Sequence, residues 1–195
     1  MRVFIAVLVL IFSLQSLSKA DDISDFEIEG ISVGDSLLNF MNIEDIKTQL
    51  VKNDYTYNYT DKKFISIKIT GMKSELYDKR IIVEVKRKND LKYIIYSVRG
   101  EIIFPGMSKC LAQKNKIVSE IQSMFTDIKK REWTRNYHGS TDDRYKIHGA
   151  NLDFNSGDTI GVICSQFPEN LTPKRPDSFY VFIRTKEFED WLAQY

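Results

Sequence analysis

A chain of 195 residues that is 43% hydrophobic and 12% aromatic has the composition of a folded protein, and its length suits about one domain. Its 28 basic residues nearly balance 27 acidic ones, so there is no basic excess of the kind that general nucleic-acid or anionic-membrane binding needs.

Residues 1–20 read as an export signal. Arg2 supplies a positive start, Val3 to Leu14 an apolar run, and Ser18-Lys19-Ala20 the small residues of a cleavage site before Asp21-Asp22. The run is too short to cross a bilayer, which takes about 20 apolar residues in a helix. No later stretch qualifies, so no transmembrane segment is expected in residues 21–195, which are read as one domain. Cleavage removes Arg2 and Lys19, leaving 26 basic against 27 acidic residues and a net charge of −1. Export also places Cys110 and Cys164 in an oxidising space, where an even count predicts one disulfide, Cys110–Cys164.

In chain order, Phe26 to Gly30 alternates like a short strand or extended lead-in. Asp35 or Ser36 can cap a short helix carrying Leu37, Leu38, Phe40 and Met41. Asn42, with Asp45 three residues on, starts a second helix with the stripe Ile43, Ile46, Leu50 and Val51. Alternating Tyr55, Tyr57 and Tyr59 and the run Phe64 to Ile69 then read as strand. Ile81 to Lys86 and Tyr93 to Phe104 follow as strands, with Asn89-Asp90 as the turn.

After Pro105-Gly106, apolar residues from Met107 to Ile128 recur at helical spacing, with Cys110 on the same face. Lys129 to Asp143 is polar and reads as a loop. Tyr145 to Phe154 and Thr159 to Phe167 read as strands about the turn Asn155 to Asp158, with Cys164 alternating with Ile160 and Val162. Pro168 to Pro176 reads as a loop, Phe179, Val181 and Ile183 as a last strand, and Thr185 as the cap of a C-terminal helix with Phe188, Trp191 and Leu192. The expected class is α+β, with a mostly antiparallel sheet, one long amphipathic helix, short flanking helices and a pseudo-repeat of helix plus three strands.

The densest polar cluster is His138, Ser140, Asp142, Asp143 and His148, which nominally holds a nucleophile, a base and a carboxylate. Ser140 lacks the small-residue elbow that exposes a hydrolase serine. The spacing of His138, Asp142, Asp143 and His148 matches no metal-ligand pattern, so no metal and no cofactor are expected. Lys86 to Lys88 with Lys92, and Lys129 to Arg131, are local basic tips; Tyr55, Tyr57, Tyr59 and Phe64 form an aromatic run open to a sugar, a peptide or plain sheet packing. Asn58 and Asn170 stand in glycosylation acceptor patterns.

The segment Phe26 to Leu38, together with a lone Cys on a helix and a lone Cys on a strand, resembles small uncharacterised exported proteins of marine alphaproteobacteria. That resemblance implies a periplasmic setting and no particular activity. The Ile-x-x-Gly-x-Ser start at Ile31 is also similar to outer-membrane-assembly and inhibitor-like α+β modules, without the Gly-x-Pro that follows in them. The leading expectation is a non-enzymatic periplasmic or secreted module that binds a protein or an envelope component. The alternative is a hydrolase using the segment His138 to His148.

Overall fold

The computed structural model describes residues 22–52, 63–70, 81–87, 90–104, 106–125, 127–136, 142, 145–167 and 177–194. The expected export signal, Tyr55, Tyr57, Tyr59, Asn58, Asn170 and residues 168–176, expected as loop, lie outside these residues.

Seven strands form one antiparallel sheet: β1 (Phe64–Lys68), β2 (Ile81–Lys86), β3 (Ile95–Ile103), β4 (Lys129–Asn136), β5 (Lys146–Asp153), β6 (Thr159–Ser165) and β7 (Ser178–Arg184). Their order across the sheet is β1-β2-β3-β7-β6-β5-β4. Each half is a meander led by a helix, α1 (Ile43–Lys52) before β1 and α2 (Met107–Met124) before β4, and the last strands of the halves, β3 and β7, meet antiparallel in the middle. The second half has four strands, not the three expected of a pseudo-repeat. The α+β class with a mostly antiparallel sheet is as the periodicity predicts.

The extra strand corrects the reading of Lys129 to Asp143 as loop. β4 is an edge strand exposed on both faces, so no buried face imposes the period-two alternation by which a strand is recognised. The long helix is correspondingly shorter than expected. Phe125 adopts extended dihedrals (φ −115°, ψ 141°) and buries its ring edge-on against Phe154, which ends α2 at Met124.

The helix face of the sheet is an apolar layer. Ile67, Val83, Val98, Ile183, Ile160 and Leu152 form one cross-strand row, and Ile81, Gly100, Val181, Val162 and Ala150 the next. The buried residues of α2, Cys110, Val118 and Ile121, pack on β5 to β7, and a disulfide joins Cys110 to Cys164 on β6. The bridge spans 54 residues and ties the helix of the second half to its central strands.

α1 is capped as its sequence predicts: Asn42 Oδ1 accepts from the Asp45 N–H at 2.9 Å, and Asn42 Nδ2 donates back to the Asp45 carboxylate at 2.6 Å. Ile46 is fully buried, but Val51, expected on the same stripe, is 85% exposed, because the helix rests on β1 over only part of its length. Ser36 caps a single 3-10 turn, Leu37–Asn39, in place of the first expected helix. Phe26 and Glu27 lead into a tight turn at Glu29-Gly30, closed by the Ile28–Ile31 pair.

The short helix α3 (Lys186–Leu192), capped by Thr185, lies on the opposite face of the sheet, where Phe188 and Trp191 bury Phe64 with edge-on contacts near 5 Å. Phe64 of the expected aromatic run is therefore core. Among the described residues no helix is long and apolar enough to cross a membrane.

Candidate binding face

Among the described residues α2 packs on one face of β5 to β7 and α3 lies on the other face over Phe64 and Tyr96, so β4 and the second face of β5 and β6 have no helix over them. Register fixes which side chains share that face. One row runs Trp133, Gly149, Ile163, Tyr180, Glu101 from β4 to β3, and the next Arg131, Asn151, Gly161, Phe182, Arg99. Arg135 and Ile147 stand beyond the first row, Asp153 and Thr159 beyond the second.

Two glycines shape this face. A Cβ on Gly149 would fall 2.2 Å from Cζ2 of Trp133, its cross-strand partner, and one on Gly161 would fall 2.0 Å from Cζ of Phe182. Both rings therefore lie down across the neighbouring strand, where any other residue would hold them off. Ile147, Ile163 and Phe182 are buried among them, with Trp133 and Tyr180 half-buried.

Polar groups then fix the rings. Trp133 Nε1 donates to Asn151 Oδ1 at 3.0 Å, and the Arg135 guanidinium stacks 4.8 Å from the indole. Arg184 stacks 3.9 Å from Phe182 and donates to Glu189 on α3 at 3.0 Å. Arg131 and Asp153 form a two-pronged ion pair, and Thr159 donates to Asp153 at 3.1 Å. Those hydrogen bonds, Arg131 foremost, hold the Asp153 carboxyl below its ordinary range.

The polar cluster expected from sequence is not assembled by the described residues. His138, Ser140 and Asp143 lie outside them, and Asp142 is placed by its backbone carbonyl, which accepts from Tyr145. His148 stands on β5, on the helix face, beside Cys164 and opposite Thr134, whose hydroxyl is 3.0 Å from Nδ1. Burial first, then the charges of Lys114 and Lys146, push its pKa down. Among the described residues no group of His, Cys, Asp or Glu has the arrangement of a metal site.

Next to His148 lies a feature the sequence reading missed. Lys114, only 5% exposed, runs from the buried side of α2 to Glu132 on β4 and donates to its carboxylate at 3.1 Å. Lys130 approaches the same carboxylate at 3.7 Å. The hydrogen bond and charge of Lys114 hold the Glu132 pKa down, so Glu132 is ionised and spent on the interior of its own fold. The signal was a lysine at a helical position flanked four residues later by Val118, on the apolar stripe. Of the basic tips, Lys86 lies over Tyr96 at 4.5 Å and pairs with Glu187 at 3.0 Å, which makes it part of the α3 packing.

Fold and face together define an α+β protein with a seven-stranded antiparallel sheet and an arginine–aromatic surface at one end. Comparison with family models, with curated proteins and with solved structures gave no match.

Proposed function

We propose that the chain is an exported binding module, secreted or periplasmic, that holds a protein partner or an envelope component and does no chemistry of its own. The observation that carries this reading is the arginine–aromatic face on β4 to β7, where Arg131 and Arg135 are exposed and Trp133 and Tyr180 half-buried. Trp, Tyr and Arg are the residues that contribute most at protein interfaces, because the rings combine large contact area with few rotamers and the guanidinium adds stacking and a fork of donors. Here they are pre-arranged: glycines seat the rings and hydrogen bonds hold them, which lowers the entropy lost on binding. The disulfide fits an oxidising compartment. The exported protein should begin at Asp21 and be lighter by the two hydrogens of one disulfide, which intact mass measures.

The test is capture from an envelope fraction by the mature protein. A partner retained by the wild type and lost with Trp133→Ala or Arg135→Ala supports the reading. Turnover of an ester or phosphate panel, abolished by His148→Ala, with nothing captured, overturns it in favour of the hydrolase.

A further inference from the structure

We infer that the outer edge of β4 takes up an extended, acidic segment of a partner as an eighth strand, with alternate acidic and apolar side chains on the arginine–aromatic face. This rests on the binding-module reading and names how the partner is held. β4 runs for eight residues, and among the described residues no strand pairs with its outer side. Its backbone donors and acceptors are therefore laid out for strand addition.

Charge selects the occupant. β4 carries Lys129, Lys130, Arg131 and Arg135 against Glu132 alone. Glu132 is engaged by Lys114, and Arg131 by Asp153. Among the described residues Arg135 has no ion-pair partner and Lys129 shares Asp153, opposite it, with Arg131, so β4 carries more positive charge than its neighbours offset. A second copy is the wrong occupant. Antiparallel pairing keeps the two copies' faces in common, so the nearest registers set either Lys129 opposite Arg135 twice, with Glu132 against Glu132, or Arg131 opposite Arg135 twice, and like charges directly opposite are destabilising. Period two sets the pattern: Arg131, Trp133 and Arg135 share one face, so a fitting strand offers acid, apolar, acid at alternate positions.

The probe is a labelled peptide, Thr-Glu-Thr-Leu-Thr-Glu-Thr with blocked ends, whose palindromic order fits either strand direction. Anisotropy titration of the full mature protein should show binding that falls about tenfold or more when Glu is replaced by Lys, or when Lys129→Glu and Arg135→Glu are introduced together. N-methylation of alternate backbone nitrogens should abolish binding in one of its two registers, since it removes the strand hydrogen bonds and no charge. Equal binding of acidic and lysine peptides, indifference to N-methylation in both registers, preference for a single-stranded oligonucleotide, or self-association through β4 would each overturn the inference. If the envelope partner is still captured by the charge-reversed variant, the edge is not the site while the binding-module reading stands.

Discussion

The two outer strands of the sheet answer the same problem in opposite ways. β1 is buried in all but its last residue, and at Lys68 its outer edge is capped by a side chain: Gln49 of α1 donates to the Lys68 carbonyl and accepts from the Lys68 N–H, both at 2.8 Å. The amide of one glutamine stands in for a neighbouring peptide. β4 has no such cover among the described residues and relies on charge. An edge closed by hydrogen bonding excludes every strand, whereas an edge guarded by cations excludes like strands and admits acidic ones. Under the proposed function the first device serves stability and the second recognition, and that division can be tested.

The largest effect belongs to the covered part. Replacing Cys110 and Cys164 together by Ala releases a loop of 54 residues. The chain-entropy relation puts the loss at about 4 kcal/mol, or roughly 10 °C in Tm for a chain of this size. Arg135→Glu on β4 should leave Tm within about 1 °C, since exposed single charges contribute little. Calorimetry of both variants checks the pair; a comparable loss from Arg135→Glu would put β4 among the elements that hold the fold together.

The two glycines separate centre from edge within one face. Gly161→Ala drives a methyl into Phe182, which is 2% exposed and pinned under Arg184, so the strain cannot escape; a cost of about 1–3 kcal/mol is expected. Gly149→Ala makes a similar collision with Trp133, but that ring sits half-buried on the edge strand and can turn outward. It should cost less than about 1 kcal/mol while breaking the bond to Asn151, with a red shift of tryptophan emission as the readout.

This contrast also explains what could be read from sequence. The strands with one or both faces buried, such as Ile81–Lys86, announce themselves because burial demands apolar residues at fixed period. The disulfide was legible because Cys110 and Cys164 each fall on the buried period of their element. β4 was missed because neither face is buried, and the same exposure makes it the candidate site. Trp133 and Arg135 carried no pattern of their own; they become a site through Gly149 and Asn151 on the next strand, a register that local sequence does not encode. Of the cluster His138 to His148, only Asp142 and His148 lie among the described residues. On β5, the side chain of His148 points toward α2, away from the arginine–aromatic face.

The closed edge should show its function when opened. Gln49→Glu keeps the acceptor for the Lys68 N–H but sets a second oxygen against the Lys68 carbonyl. A loss of about 1 kcal/mol is expected, with concentration-dependent association by light scattering that wild type lacks. Stability loss without association would mean that burial of β1, and not Gln49, keeps that edge closed.

The smallest effect concerns His148 and sharpens the border between the two regions. In the fold its pKa lies below the ordinary 6.5, by burial first and then by Lys114 and Lys146. A base with a depressed folded pKa binds its proton more readily in the unfolded chain. Its contribution to stability is therefore complete above about pH 6.5 and is lost as pH falls through the folded value. His148→Gln should flatten the decline of Tm below that pH. Lys114→Met removes one of the charges that disfavour the imidazolium, so the His148 ring resonances should titrate at higher pH than in wild type, read by NMR with His148→Gln as the assignment control. The same change should leave stability within about 1 kcal/mol, because the methionine fills the buried channel and the freed Glu132 is half-exposed to water. An unmoved His148 titration would mean that Lys114 and His148 are insulated from each other, and that burial and Lys146 alone depress the imidazole.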